Sequence, residues 1–147
     1  MRRLLKFIRL QMPERMLLIE ALACLGTAKI ALWVLPFRLI AGRLGMLWTE
    51  SPTDVDHDEL EAASRVGWAV QTAARNVSWN CRCLEQGLAA KAMLRRRGVS
   101  STLYLGVARR GGEPLEAHAW LRAGEIILTG GGGEDRYTVV STFGEAG

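Results

Sequence analysis

The order of patterns along this 147-residue chain predicts an α+β fold in which N-terminal helices precede a cysteine-bearing helix packed on an antiparallel sheet. Three observations carry that expectation. Apolar residues recur at spacings of three and four in the first half: Leu17, Leu18, Ala21, Leu22, Leu25, Ala28 and Leu32, then Leu60, Ala63, Gly67, Val70, Ala74 and Val77. Short apolar and alternating runs fill the last third: Thr102 to Val107, Ala117 to Leu121, Ile126 to Thr129 and Tyr137 to Thr142. Between the two regimes a polar loop ends in Trp79-Asn80-Cys81-Arg82-Cys83-Leu84, and a helix opens at Cys83.

Residues 1–12 alternate basic and apolar types and read as a short helix or an arm. Pro13 and Glu14 open the first long helix, because proline suits a first turn and an acid there complements the helix dipole. Pro36 ends it, and a second helix runs from Phe37 to about Leu44 and stops at Gly45. The polar, proline-containing stretch 48–56 is the expected boundary between a helical segment, residues 1–50, and a core, residues 51–147. Asp56 with Glu59 three residues later forms a capping box for a third helix, whose first turn holds a solvated His57. The Cys83 helix runs to about Arg97, where Arg95-Arg96-Arg97-Gly98 is a helix C-terminus. The strands form an antiparallel meander with turns at Gly111-Gly112, Ala123-Gly124 and a hairpin loop at Gly130 to Gly133. That glycine run lacks the lysine and helix of a phosphate loop.

Composition narrows the class. A hydrophobic content of 49% with 23% charged residues fits one folded domain and excludes a disordered chain. The net charge of +4 calls for no nucleic-acid partner, and Arg95 to Arg97 are explained as a helix end. Three cysteines and two histidines without zinc-site spacing predict no metal and no disulfide framework. Charges at Lys6, Arg9, Glu14 and Arg15 interrupt any signal-peptide core. Glu20, Lys29 and Arg38 cut the apolar stretch from Met16 to Ala41 below the length of a membrane span, so a buried helix is expected there, with peripheral membrane contact as the lesser alternative.

Cys24 falls on an apolar helix face and reads as core, and Cys81 as packing. Cys83 differs by position. Unpaired N–H groups and the dipole at a helix start favour thiolate, the nucleophilic form. His118, flanked by Ala117 and Ala119, projects to one face of its strand while its neighbours project to the other. Cysteine at a helix start with histidine on a later strand is the layout of papain- and transglutaminase-like thiol enzymes. Residues and spacing alone leave a catalytic pair and a buried bystander pair equally open.

The string Trp79-x-x-x-Cys83-Leu84, Ala89-Ala90, Leu94-Arg95-Arg96-Arg97-Gly98-Val99, Thr102 to Val107 and Ala117-His118-Ala119-Trp120-Leu121 resembles the transglutaminase-like leader peptidase of lasso-peptide biosynthesis. The resemblance covers Trp79 to Phe143. It implies a cofactor-free, cytoplasmic cysteine peptidase that removes the leader from a ribosomally made precursor peptide. It also implies a small leader-binding protein and an ATP-dependent macrocyclase as partners, with the N-terminal helices docking the leader. By the same resemblance Cys83 is the nucleophile, its N–H an oxyanion donor with Asn80 as a second candidate, and His118 the general base. Where the family places an aspartate to orient the imidazole, this chain aligns Thr129, with Asp135 as the alternative acid; a backbone carbonyl can serve instead. Trp79 and Trp120 are the expected peptide contacts. The competing readings are another thiol acyl-transfer enzyme, such as an amidase or acyltransferase, and a non-catalytic peptide-binding module of the same fold.

Overall fold

The computed structural model describes residues 1–146, beginning with three helices: α1 (Arg2–Arg9), α2 (Met12–Val34) and α3 (Phe37–Ala41). Pro13 lies in the first turn of α2, and Glu14 takes the N–H of Gln11 at 3.1 Å, closing the start that proline and acid predict. The short α3 ends at Gly42, earlier than Leu44. Gly45 then turns with φ 111° into a two-residue strand, β1 (Met46–Leu47), which local pattern does not reveal.

The capping box at α4 (His57–Asn76) is as expected: Asp56 Oδ1 accepts the Glu59 N–H at 2.8 Å, and Glu59 accepts the Asp56 N–H at 3.3 Å. Helix α5 (Cys83–Arg96) begins at the cysteine itself. The remaining strands are β2 (Thr102–Ala108), β3 (Glu116–Ala123), β4 (Ile126–Thr129) and β5 (Thr138–Gly144).

All neighbours in the sheet are antiparallel, but the order is β1-β5-β2-β3-β4. Only β2-β3-β4 is a meander. Strand β5 crosses back to pair with β2 (Leu103 opposite Phe143), so Gly130 to Gly133 open a crossover containing a 3-10 turn (Glu134–Arg136) instead of a hairpin. The reason is non-local. Phe143 belongs to the core beside Leu103 and stacks edge-on against Phe37, contacts that no local pattern encodes.

Helices α2, α4 and α5 pack on one another, and α4 and α5 cover one face of the sheet. The core joins Leu17, Leu25, Val66, Val70, Met93, Leu94, Leu103, Leu121 and Phe143. The expectation that α2 is buried holds for one face only, through Leu17, Leu18, Ala21, Leu25 and Ala28. Cys24, expected in the core, is half-buried beside it, where burial and then the charge of Glu20 push its thiol pKa up.

Candidate active site

Small residues on α5 set its distance from the sheet. A side chain at Gly87 would come within 2.7 Å of Leu103 Cδ1 and 3.8 Å of Thr129 Oγ1, so glycine lets the helix lie directly on β2 and β4. One turn later Lys91, 1% exposed, donates to Ser101 O (2.8 Å), Ser101 Oγ (3.2 Å) and Glu145 Oε2 (3.0 Å), at the start of β2 and just past the end of β5. These contacts orient the helix. Its C-terminal half lies over the Thr102 and Gly144 end of the sheet. Its first residue, Cys83, lies toward the end where β3 begins, β4 finishes and β5 starts.

The loop before Cys83 is held from α2. Lys29 Nζ donates to the Asn80 carbonyl at 3.0 Å and pairs with Glu85 at 3.6 Å; Glu85 in turn accepts the Arg82 N–H at 3.2 Å. Gln86 adds a bond to the Cys81 carbonyl at 3.1 Å. Cys81, two residues from the helix start, is chemically distinct: burial and then the Glu85 charge push its thiol pKa up, disfavouring thiolate there.

His118 is half-exposed, and its Nε2 lies 2.6 Å from the carbonyl oxygen of Gly130. A carbonyl only accepts, so Nε2 carries the hydrogen, and in the neutral imidazole it is Nδ1 that holds the lone pair. The Thr129 hydroxyl, by contrast, is buried without a hydrogen-bond partner, and Asp135 is exposed and makes no bond to the imidazole. The acid whose charge interacts with His118 is Glu134. Its carboxylate takes the N–H groups of Gly132 (2.8 Å) and Gly133 (3.1 Å), and backbone hydrogen bonds foremost, with a smaller contribution from His118, lower its pKa.

Alternation along β3 sends Ala119 and Leu121 into the core under α5, and His118, Trp120 and Arg122 to the other face. There an aromatic ladder forms. Tyr104 stacks on Trp120 (5.3 Å between centroids), Trp120 on His118 (5.9 Å), and His118 on Tyr137 (4.8 Å). Gly106, paired with His118, makes room for it: a Cβ there would meet the Trp120 ring and Tyr137 Cβ at 2.8 Å. Trp120 is thereby 5% exposed and acts as a support for His118, whereas Trp79 is exposed beside Cys81.

No hydrogen bond joins Cys83 to His118 among the described residues: α5, which Cys83 opens, covers one face of the sheet, and His118 projects from the other. Tyr137 stacks on His118, and its pKa is raised, first by burial and then by the hydrogen bond and charge of Glu116. The described residues contain no group of three or more His, Cys, Asp or Glu able to hold a metal. Tyr137, Gly106 and the Gly130 carbonyl escape sequence reading, since a backbone carbonyl has no residue-type signature and the crossover hides the neighbourhood of Tyr137.

No curated protein and no solved structure matches this chain. One family model does, over residues 31–142, from the end of α2 through nearly all of β5 and including both Cys83 and His118. That span is most of the sequence, and with a cysteine opening a helix on an antiparallel sheet it shows that the chain belongs to the transglutaminase-like superfamily, whose members are usually cysteine-dependent enzymes.

Proposed function

We propose that this protein is a cysteine peptidase that removes the leader from a ribosomally made lasso-peptide precursor. The observation that carries the reading is the presence of both a cysteine at a helix N-terminus and a histidine whose Nε2–H is taken by the Gly130 carbonyl, which in the neutral ring leaves Nδ1 as a base. In this mechanism Nδ1 accepts the Cys83 thiol proton. The sulfur then adds to the scissile carbonyl, and the Cys83 N–H, without a partner inside the helix, stabilises the oxyanion. Collapse breaks the C–N bond as the imidazolium protonates the leaving amine. Water, deprotonated by His118, then hydrolyses the thioester and restores the thiol. In this reading the Cys83–His118 hydrogen bond forms only in the substrate complex, since α5 and the His118 side chain lie on opposite faces of the sheet here.

The Gly130 carbonyl takes the orienting role for which Thr129 and Asp135 are the candidates by sequence. Trp79 is the proposed peptide contact at the open end. The groove of about 1090 Å³ between α2, α3 and the C-terminal part of α5, walled by Cys24, Ala28, Leu39, Leu44 and Leu88, is the proposed seat of the leader with its small binding protein in the cytoplasm; the macrocyclase acts on the released core. The test is cleavage of a precursor by the protein with its leader-binding partner. Cys83→Ala and His118→Ala should each lose at least about a thousandfold in rate, and Cys81→Ala should stay active.

The missing Cys83–His118 bond favours one other reading, a peptide-binding module without catalysis. Labelling by iodoacetamide near neutral pH separates the two: fast modification of Cys83, slowed in His118→Ala, supports the peptidase, and equal slow labelling supports the module.

A further inference from the structure

Helix α2 is apolar on nearly every side, yet only one side is covered. Met12, Leu22, Ile30 and Trp33 point away from α4 and α5, with Ile30 63% and Trp33 87% exposed, and none of them lines the groove beside α3. A helix hydrophobic all round belongs in a core or a membrane, so this face lacks its cover. Helix α1 adjoins it: Arg15, one turn before Ile19 on the same helix, reaches back to the carbonyls of Leu10 (2.8 Å) and Ile8 (2.6 Å). At helical spacing α1 has two sides. Arg2, Arg3, Lys6 and Arg9 form one, with no acid among them; Leu4, Leu5 and Ile8, all more than half exposed, belong to the other.

Charge says what the cover is. Residues 1–45 hold eight lysines and arginines against two glutamates, whereas the rest of the chain holds eleven against thirteen aspartates and glutamates. The basic surplus of the whole protein therefore sits on the segment with the bare apolar surface. A basic amphipathic helix beside an apolar strip with an exposed tryptophan matches the interface of an anionic lipid bilayer, where side chains such as Leu and Trp enter the acyl boundary and Arg and Lys meet phosphates. Length and composition would also let α2 cross a membrane. Its ties to α5 oppose that: Glu20 binds Arg97 at 2.6 Å and Arg96 at 3.2 Å, and Lys29 binds Glu85, so a spanning α2 would leave the core.

We propose that the protein docks flat on an anionic membrane surface through α1 and the outer face of α2, independently of the chemistry at Cys83. Peripheral membrane contact is the lesser of the two expectations for this stretch, after a fully buried helix. The experiment is co-sedimentation of the full chain with vesicles of phosphatidylcholine alone or mixed with phosphatidylglycerol, with tryptophan fluorescence and light scattering of the protein by itself. Binding should require phosphatidylglycerol, fall at high salt, and shift tryptophan emission to the blue. Replacing Arg2, Arg3, Lys6 and Arg9 by Gln should weaken it at least about tenfold, and Trp33→Ser should remove most of the blue shift, with thermal melting unchanged in both. No binding to phosphatidylglycerol vesicles, equal binding to phosphatidylcholine, or a stable dimer that needs Ile30 and Trp33 and leaves vesicles unbound would each overturn the proposal.

Discussion

Helices α2 and α5 pack against each other on one core, and they use their surfaces differently. Nearly all of α5 is engaged: Gly87, Leu88, Ala90, Met93 and Leu94 are buried, Lys91 is locked to Ser101 and Glu145, and the free first turn carries Cys83. Helix α2 is longer and more apolar but is engaged along a single stripe. Apolar content therefore does not measure burial. What decides is whether another element exists to cover each face, and α5 lies between α2 and the sheet while α2 lies at the edge of the assembly.

The two faces of α2 give the largest contrast. Leu25→Ala, at a fully buried position, should cost about 2–4 kcal/mol, whereas Ile30→Ala on the outer face should cost less than about 0.5 kcal/mol, both read by urea denaturation. Equal costs would mean that the outer face is covered in solution. Next comes the fit of α5 to the sheet: Gly87→Ala forces a methyl against Leu103 Cδ1 and should cost about 1–3 kcal/mol, with activity falling too if the Cys83 end moves.

The tie between the helices is weaker and depends on pH. Hydrogen bonding and charge from Arg97, with Arg96, hold the Glu20 carboxyl below its ordinary 4.5 against a smaller opposing effect of burial. A lowered folded-state pKa stabilises above the unfolded value and loses that contribution as pH falls through the folded one. Glu20→Gln should therefore cost about 1 kcal/mol at pH 7 and progressively less as pH drops below about 4, followed by melting across pH. The smallest effect expected is at Thr129, whose buried hydroxyl has no partner beside α5. Thr129→Val should be neutral or slightly stabilising and leave precursor cleavage intact, because the Gly130 carbonyl holds His118; a large loss of rate would return the orienting role to Thr129.

Local chemistry is legible wherever a residue type acts on its own neighbours. Pro13 with Glu14, Asp56 with Glu59, and the arginines before Gly98 mark helix ends because capping is completed within one turn of chain. Cys83 at a helix start and His118 on a strand are legible for the same reason, as is the alternation that separates His118 from Ala119. The aromatic ladder is not, since it brings together Tyr104, Trp120, His118 and Tyr137 from three strands whose order is set by long-range pairing.

By itself the sequence determined the class of fold, the helix starts and strand runs, and that Cys83 opens a helix while His118 lies on a strand. Only the tertiary structure decided that β5 returns to β2, that a glycine carbonyl, rather than the threonine before it, meets the imidazole, and that α2 keeps a bare face. Each of these depends on which elements end up side by side. That is fixed by burying Leu103, Leu121 and Phe143 together, and not by any pattern within a single element.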